Sequence, residues 1–329
     1  MKLRRRAVLL SLAAAGLSGC VSPVAPNTDK LSMPDEVVFL WSEGPPGGVP
    51  PGLSEQIVHR DNPFGLLDRA AHEVTAPSLS IFRPTVPDGS AILVIPGGGY
   101  KWVVVDKEGF EGARHFGGQG ATVYVLRYRL PHQGWAAGAS APLQDAQRAV
   151  RLIRARAAAD GIDPARVTVI GFSAGGHLAG LLATGFDAPI HAPQDVVDSS
   201  SARPDGVVLV YPVATMARPF AHEGSRLNLI GSDPTPEQEA AWSLEHRIRP
   251  DMPPLFLMHA ADDAAVPVEN ALVLYEALRR AEVPAALHVF EAGGHGFGLR
   301  GIAGTPLEDW PGMVTRWGRD KGLFLSSIG

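Results

Sequence analysis

Val167-Thr168-Val169-Ile170-Gly171-Phe172-Ser173-Ala174-Gly175-Gly176-His177 is the stretch that decides the architecture. Its first four residues are β-branched, which suits a buried strand. Gly171-x-Ser173-x-Gly175 comes next, and a helical segment follows. Between strand and helix this spacing makes a turn so tight that side chains two residues to either side of the serine collide, hence the glycines. The turn aims the positive end of the helix at the place where negative charge would develop. The plainer alternative is a glycine-rich turn with a passive serine. A serine hydroxyl is a poor nucleophile near neutral pH, so an active Ser173 requires a base to take its proton and an acid to hold that base in one tautomer.

Working outward, short β-branched runs alternate with longer amphipathic segments, the rhythm of an α/β fold with a mostly parallel sheet covered on both faces. Eight strands are expected, at Val37 to Leu40, Leu79 to Arg83, Ala91 to Ile95, Thr122 to Arg127, Val167 to Gly171, Val207 to Val210, Leu255 to His259 and Ala286 to Phe290. Pro142 to Ala159 is the clearest helix: Leu143, Ala146, Val150 and Ile153 fall at helical spacing, with Arg148, Arg151, Arg154 and Arg156 mostly on the other side. Glu269 to Ala281 reads similarly. The strands before Ala91 lack helices between them and are expected to pair antiparallel at the sheet edge. No large cap domain interrupts the strands. Only 186–204 and 214–253 have room for a modest lid.

Candidate partners for Ser173 lie further along the chain. Gly293-Gly294-His295-Gly296-Phe297-Gly298 follows the last strand and offers a histidine on a flexible loop. His259 and His288 sit on strands, and His177 lies one turn along the serine helix, where packing roles suffice. Two adjacent carboxylates, Asp262 and Asp263, follow the strand ending at His259. Pro96-Gly97-Gly98-Gly99-Tyr100 follows another strand, and its bare backbone would let N–H groups approach a substrate oxyanion. A phosphate-binding loop is the competing reading, but neither G-x-x-x-x-G-K-[ST] nor G-x-G-x-x-G occurs there.

These residues resemble the α/β-hydrolase fold, in which the order along the chain is serine, acid, histidine. The resemblance implies His295 as general base. His259-Ala260-Ala261-Asp262-Asp263-Ala264-Ala265-Val266-Pro267 resembles the pattern H-G-x-x-D-x-x-V-P and implies Asp263 as the acid, with Asp262 as the alternative and Ala260 a departure from the pattern. Pro96-Gly-Gly-Gly-Tyr100 resembles the HGGG segment of lipases and esterases, which implies an oxyanion hole from the amides of Ala174 and Gly98 or Gly99. Together with Asp106-Lys-Glu-Gly109 and Tyr128-Arg-Leu-Pro131, these stretches resemble bacterial acetyl esterases and xylan esterases over nearly the whole chain after residue 36. That implies a carbohydrate ester substrate, with no cofactor or metal. Tyr100, Trp102, His132 and Trp135 could stack on sugar rings or pack their own loops. Asp106 and Glu108 could bind substrate hydroxyls or sit at a helix start for its dipole, and Asp145 reads as structural. A general short-chain esterase, a peptidase and a non-catalytic surface lipoprotein remain as other readings.

The N-terminus carries Lys2, Arg4, Arg5 and Arg6, then an apolar run from Ala7 to Leu17, then Ser18-Gly19-Cys20. This is the pattern of an export signal, and the run is far short of the ~20 residues that span a bilayer. Leu17-Ser18-Gly19-Cys20 resembles the lipobox of bacterial lipoproteins, which implies cleavage and a lipid on Cys20, the single cysteine of the chain. The arginines also resemble a twin-arginine signal, and a plain signal peptide is the alternative. Val21 is similar to the sorting pattern for the periplasmic face of the outer membrane. The expected division is a signal peptide at 1–19, a tether at 20–33 and a catalytic domain at 34–329. The 329 residues are 45% hydrophobic and 19% charged, with 29 Lys and Arg against 34 Asp and Glu. This is ordinary globular usage, and its net charge of -5 supplies no basic field for nucleic acid.

Overall fold

A computed structural model describes residues 33–325, so the signal peptide, Cys20 and nearly all of the tether lie outside the described residues. Among the described residues there are eleven strands: β1 (Glu36–Phe39), β2 (Gln56–His59), β3 (Arg69–His72), β4 (Ser78–Phe82), β5 (Ala91–Ile95), β6 (Val103–Val104), β7 (Thr122–Arg127), β8 (Val167–Phe172), β9 (Gly206–Val210), β10 (Leu255–Ala260) and β11 (Ala285–Phe290). Eight form one sheet in the order β1-β4-β7-β5-β8-β9-β10-β11. From β7 to β11 all neighbours are parallel, while β4 runs antiparallel to both β1 and β7. This is the expected α/β-hydrolase sheet with its antiparallel edge. The sequence reading did not include the separate three-stranded sheet β2-β3-β6.

The helices are α1 (Glu111–Gly117), α2 (Ala141–Ala155), α3 (Ala157–Asp160), α4 (Ala174–Gly185), α5 (Glu223–Ile230), α6 (Pro236–Trp242), α7 (Glu269–Arg280) and α8 (Trp310–Asp320). Because side chains alternate along a strand, each buried strand feeds two cores. On β5, Ala91, Leu93 and Ile95 join the core shared with α2, α4 and α7, while Ile92 and Val94 join the one shared with α1 and α8. The helix expected over 142–159 is broken at Arg156, and α3 ends on Gly161 in the left-handed region. Arg148 is also not on a solvent face. It is buried, donates to the Leu40 carbonyl and pairs with Asp195 and Asp198.

Topology sorts the two candidate lid stretches. Residues 186–204 join α4 to the start of β9, on the rim away from Ser173, and Arg148, Arg151 and Arg154 hold them against α2. Residues 214–253 follow the C-terminal end of β9, on the same rim as Ser173, and supply α5 and α6. At the opposite rim Arg83 contacts Glu36 at 2.6 Å and Asp160 at 2.7 Å. Arg156 contacts the same two carboxylates, and the Tyr124 hydroxyl donates to Asp160 at 2.7 Å.

Candidate active site

Ser173 sits between β8 and α4 with φ 52° and ψ -120°, a conformation that L side chains rarely adopt. The carbonyl of Val210 accepts its N–H at 3.0 Å, which ties the turn to the end of β9. The flanking glycines are there for close approach. A Cβ on Gly171 would lie 2.4 Å from the Gly175 carbonyl oxygen and 2.7 Å from Ala179 Cβ. One on Gly175 would lie 2.2 Å from the Ile95 carbonyl oxygen. Gly175 therefore answers to β5, the neighbouring strand, rather than to its own turn.

Ser173 Oγ lies 2.9 Å from His295 Nε2, and His295 Nδ1 lies 2.7 Å from Asp263 Oδ2. A carboxylate can only accept, so Nδ1 carries the proton and Nε2 is free to accept from the serine. His295 stands between Gly294 and Gly296, with φ of 61° and 71°, a path that bulkier residues would strain. The Asp263 carboxylate is saturated: Oδ1 accepts from the amides of Ala265 and Val266 at 3.0 and 2.8 Å. Oδ2 is also 3.3 Å from His259 Nε2. Burial pushes the Asp263 carboxyl upward, but the hydrogen bonds from His259 and His295 outweigh it and hold the group well below the usual carboxylate range.

Of the two adjacent carboxylates, Asp263 is buried and touches the histidine. Asp262 is exposed and accepts from the Gly294 amide at 2.8 Å, holding the histidine loop by its backbone. The Gly97–Gly99 loop meets the serine from the β5 side. A Cβ on Gly97 would lie 2.9 Å from Ser173 Cβ, and one on Gly98, at φ 127°, would lie 2.3 Å from the Trp102 carbonyl oxygen. The amides of Gly98, Gly99 and Ala174 donate to no group among the described residues. That is the state expected of donors reserved for a ligand oxygen.

Several residues have roles that the sequence reading missed. Glu108 is buried in a π-helical turn, Val105–Phe110, where it accepts from the Gly97 amide at 2.7 Å and from the Tyr211 hydroxyl at 3.1 Å. It does not reach out to substrate. The Tyr211 ring packs edge-on to His295, with centroids 5.1 Å apart, so Glu108 and Tyr211 brace the glycine loop and the histidine together. Burial, with Glu108 alongside, keeps the Tyr211 phenol protonated. Position was the available signal for Tyr211, which immediately follows β9 on the Ser173 rim. His177, fully buried, donates from Nε2 to the Trp242 carbonyl at 2.7 Å, so its Nδ1 accepts from the Tyr100 hydroxyl at 2.8 Å.

Two of the four aromatic candidates need correction. Tyr100 is fully buried with its hydroxyl committed to His177, and Trp135 is 4% exposed beneath the Arg129 guanidinium, 5.0 Å from its ring. Neither offers a face to a ligand. Trp102 is partly exposed beside His72, at 4.9 Å between ring centroids, and His132 is exposed close by. Asp106 is fully buried in a two-pronged contact with Arg69, and Asp145 in one with Arg129, which also packs near Trp41. Both are structural.

Residues 79–278 match the BD-FAE family. A protein described as acetylxylan esterase from Xylanibacter ruminicola is 33% identical over 251 residues, covering 75% of this chain and 47% of that one. One described as endo-1,4-beta-xylanase B from Butyrivibrio fibrisolvens is 39% identical over 211 residues, covering 62% of this chain and 32% of that one. The chain thus spans from about a third to about half of the length of these curated relatives. Among solved structures, the acetyl ester-xyloside bifunctional hydrolase of Caldicellulosiruptor lactoaceticus superimposes with a TM-score of 0.72 at 34% identity, covering 90% of this chain and 99% of that one. The butyrate-bound Est2 esterase of Thermogutta terrifontis gives 0.62 at 25% identity, covering 77% and 92%. On the family match and the α/β-hydrolase sheet that carries it, the chain belongs to the BD-FAE family.

Proposed function

We propose that this protein is a serine esterase that removes acetyl groups from xylan-type oligosaccharides through an acyl-enzyme. The reading rests on one observation above all, the line from Ser173 Oγ to His295 at 2.9 Å and on to Asp263 at 2.7 Å. Ser173 Oγ attacks the ester carbonyl carbon as its proton passes to His295 Nε2, and the amides of Ala174 and of Gly98 or Gly99 stabilise the oxyanion. Collapse breaks the carbon–oxygen bond to the alcohol, which takes the proton from His295. Water then attacks the acyl-serine by the same proton route, releasing acetate and restoring Ser173. The carbohydrate part of the reading draws on the relatives named for xylan and xylosides, and on the Trp102 and His132 side chains near the glycine loop. A general short-chain esterase remains the second reading, favoured by the likeness to the Thermogutta esterase.

Acetate release from acetylated xylo-oligosaccharides, alongside p-nitrophenyl acetate, tests both. Activity on both substrates that disappears in Ser173→Ala is expected, with the residual rate down by about 10³-fold or more. Activity on the aryl ester alone would remove the sugar assignment and leave the esterase. A fluorophosphonate probe should label the wild type and not the variant.

We also propose that residues 1–19 are an export signal, that Cys20 carries lipid and that 20–33 tether a catalytic body of 34–329 to the periplasmic face of the outer membrane. Mass spectrometry of the N-terminal peptide from membranes would show a diacylglycerol-modified Cys20; an unmodified or uncleaved N-terminus would refute it.

A further inference from the structure

The imidazole of His222 stands at the N-terminus of α5, on the segment that follows β9 over the Ser173 rim, and is partly exposed. Its Nδ1 accepts from the Ser225 amide at 3.1 Å and lies 2.8 Å from Ser225 Oγ. A backbone amide only donates, so Nδ1 presents its lone pair and the proton of the neutral ring must be on Nε2. Burial, followed by the charge of His295, holds His222 below the ordinary histidine value and so favours the neutral ring. Nε2–H has no partner among the described residues, and it is not among the enclosed polar atoms that lack one. The ring faces the glycine loop: a Cβ on Gly99 would lie 3.6 Å from His222 Cε1, and Asn228 of the same helix donates to the Gly99 carbonyl at 2.8 Å.

The capped helix therefore holds an imidazole in one tautomer, with its single donor left over beside the oxyanion loop. His295 must deliver a proton to the departing alcohol, so the alcohol part of the ester lies on the side of His295. His222 lies against Gly99 of the oxyanion loop, on the rim where the loop after β11 carries His295, which puts it within the same cleft. We propose that His222 Nε2–H binds a hydroxyl or ring oxygen in the alcohol part of the substrate, making His222 a specificity-determining residue for hydroxylated esters. This rests on the esterase reading above.

The two functions of the ring can be separated by substitution. His222→Asn keeps an N-cap acceptor and removes the distal donor, whereas His222→Gln keeps a distal N–H and weakens the cap. The substrates are acetylated xylobiose, glyceryl monoacetate and p-nitrophenyl acetate, which lacks hydroxyls. The Asn variant should melt like the wild type, with KM raised about fivefold to tenfold on the two hydroxylated esters and unchanged on the aryl ester. The Gln variant should recover most of that KM at a slightly lower Tm. An equal loss on all three substrates, or no change on the hydroxylated ones, would overturn the proposal. If the wild type hydrolyses the glyceryl and aryl esters but not acetylated xylobiose, the sugar reading falls while the glyceryl comparison still decides His222. No hydrolysis of any ester would end both.

Discussion

Asp262 and Asp263 are neighbours in sequence and opposites in environment. Asp263 is buried, accepts from two backbone amides and from Nδ1–H of His295, and lies 3.3 Å from His259 Nε2. Asn in its place can present an N–H where the histidine needs an acceptor, which selects the wrong tautomer. Asp263→Asn should lower kcat on p-nitrophenyl acetate by about 10⁴-fold, the size seen for the equivalent change in a serine protease. Asp262→Ala removes one exposed bond to the Gly294 amide and should cost about tenfold or less. A reversed ranking would make Asp262 the functional acid. At this scale the sequence was informative about identity and poor about direction. The glycine turn and the glycine-rich loop announced Ser173 and His295, since backbone constraint leaves a compositional trace. Nothing local said that Tyr100 and Trp135 turn inward, because a loop aromatic takes its direction from distant partners such as His177 and Arg129.

The decisive elements are the loops that follow β5, β8, β10 and β11, together with the π-helical turn Val105–Phe110 that supports the first of them. Glu108 there links Gly97 to Tyr211. Glu108→Gln substitutes an amide for one of two acceptor oxygens, so either the Gly97 amide or the Tyr211 hydroxyl loses its partner. An unsatisfied buried donor costs about 1–3 kcal/mol. The expectation is a fall of about tenfold in kcat with KM little changed, measured by steady-state kinetics with thermal melts as control; a fall in KM alone would contradict a bracing role. Elements were legible in proportion to their burial. The strands β5 and β7 fall where the apolar runs predict them, and the other six strands of the large sheet fall within a residue of that. The small sheet was not legible because β2 is mostly exposed and β6 is two residues long, so neither carries a periodic pattern. The break after α2 escaped notice because α3 continues its spacing almost in phase.

Across the whole molecule, His177 makes stability depend on pH. Complete burial, partly offset by the bond to the Trp242 carbonyl, pushes its folded value down to about 4 from 6.5. The folded state therefore binds fewer protons than the unfolded state between these values. The stabilisation is complete above pH 6.5 and is lost as pH falls toward 4. From pH 7 to pH 5 this one group should remove about 2 kcal/mol. Urea unfolding at both pH values checks it: His177→Gln should show a smaller loss than the wild type, and an identical loss would assign the effect elsewhere. The sheet separates two kinds of work by its own length. The Ser173, Asp263 and His295 loops occupy one rim, and the carboxylate–guanidinium cluster of Glu36, Arg83, Arg156 and Asp160 occupies the other. Five- or six-residue strands stand between them, roughly 17–20 Å, and effects of substitutions more than about 10 Å apart usually add. Hardiness and appetite are thus set at opposite ends of the same strands. Stability changes made at the ionic rim and substrate changes made at the Ser173 rim should add rather than interfere.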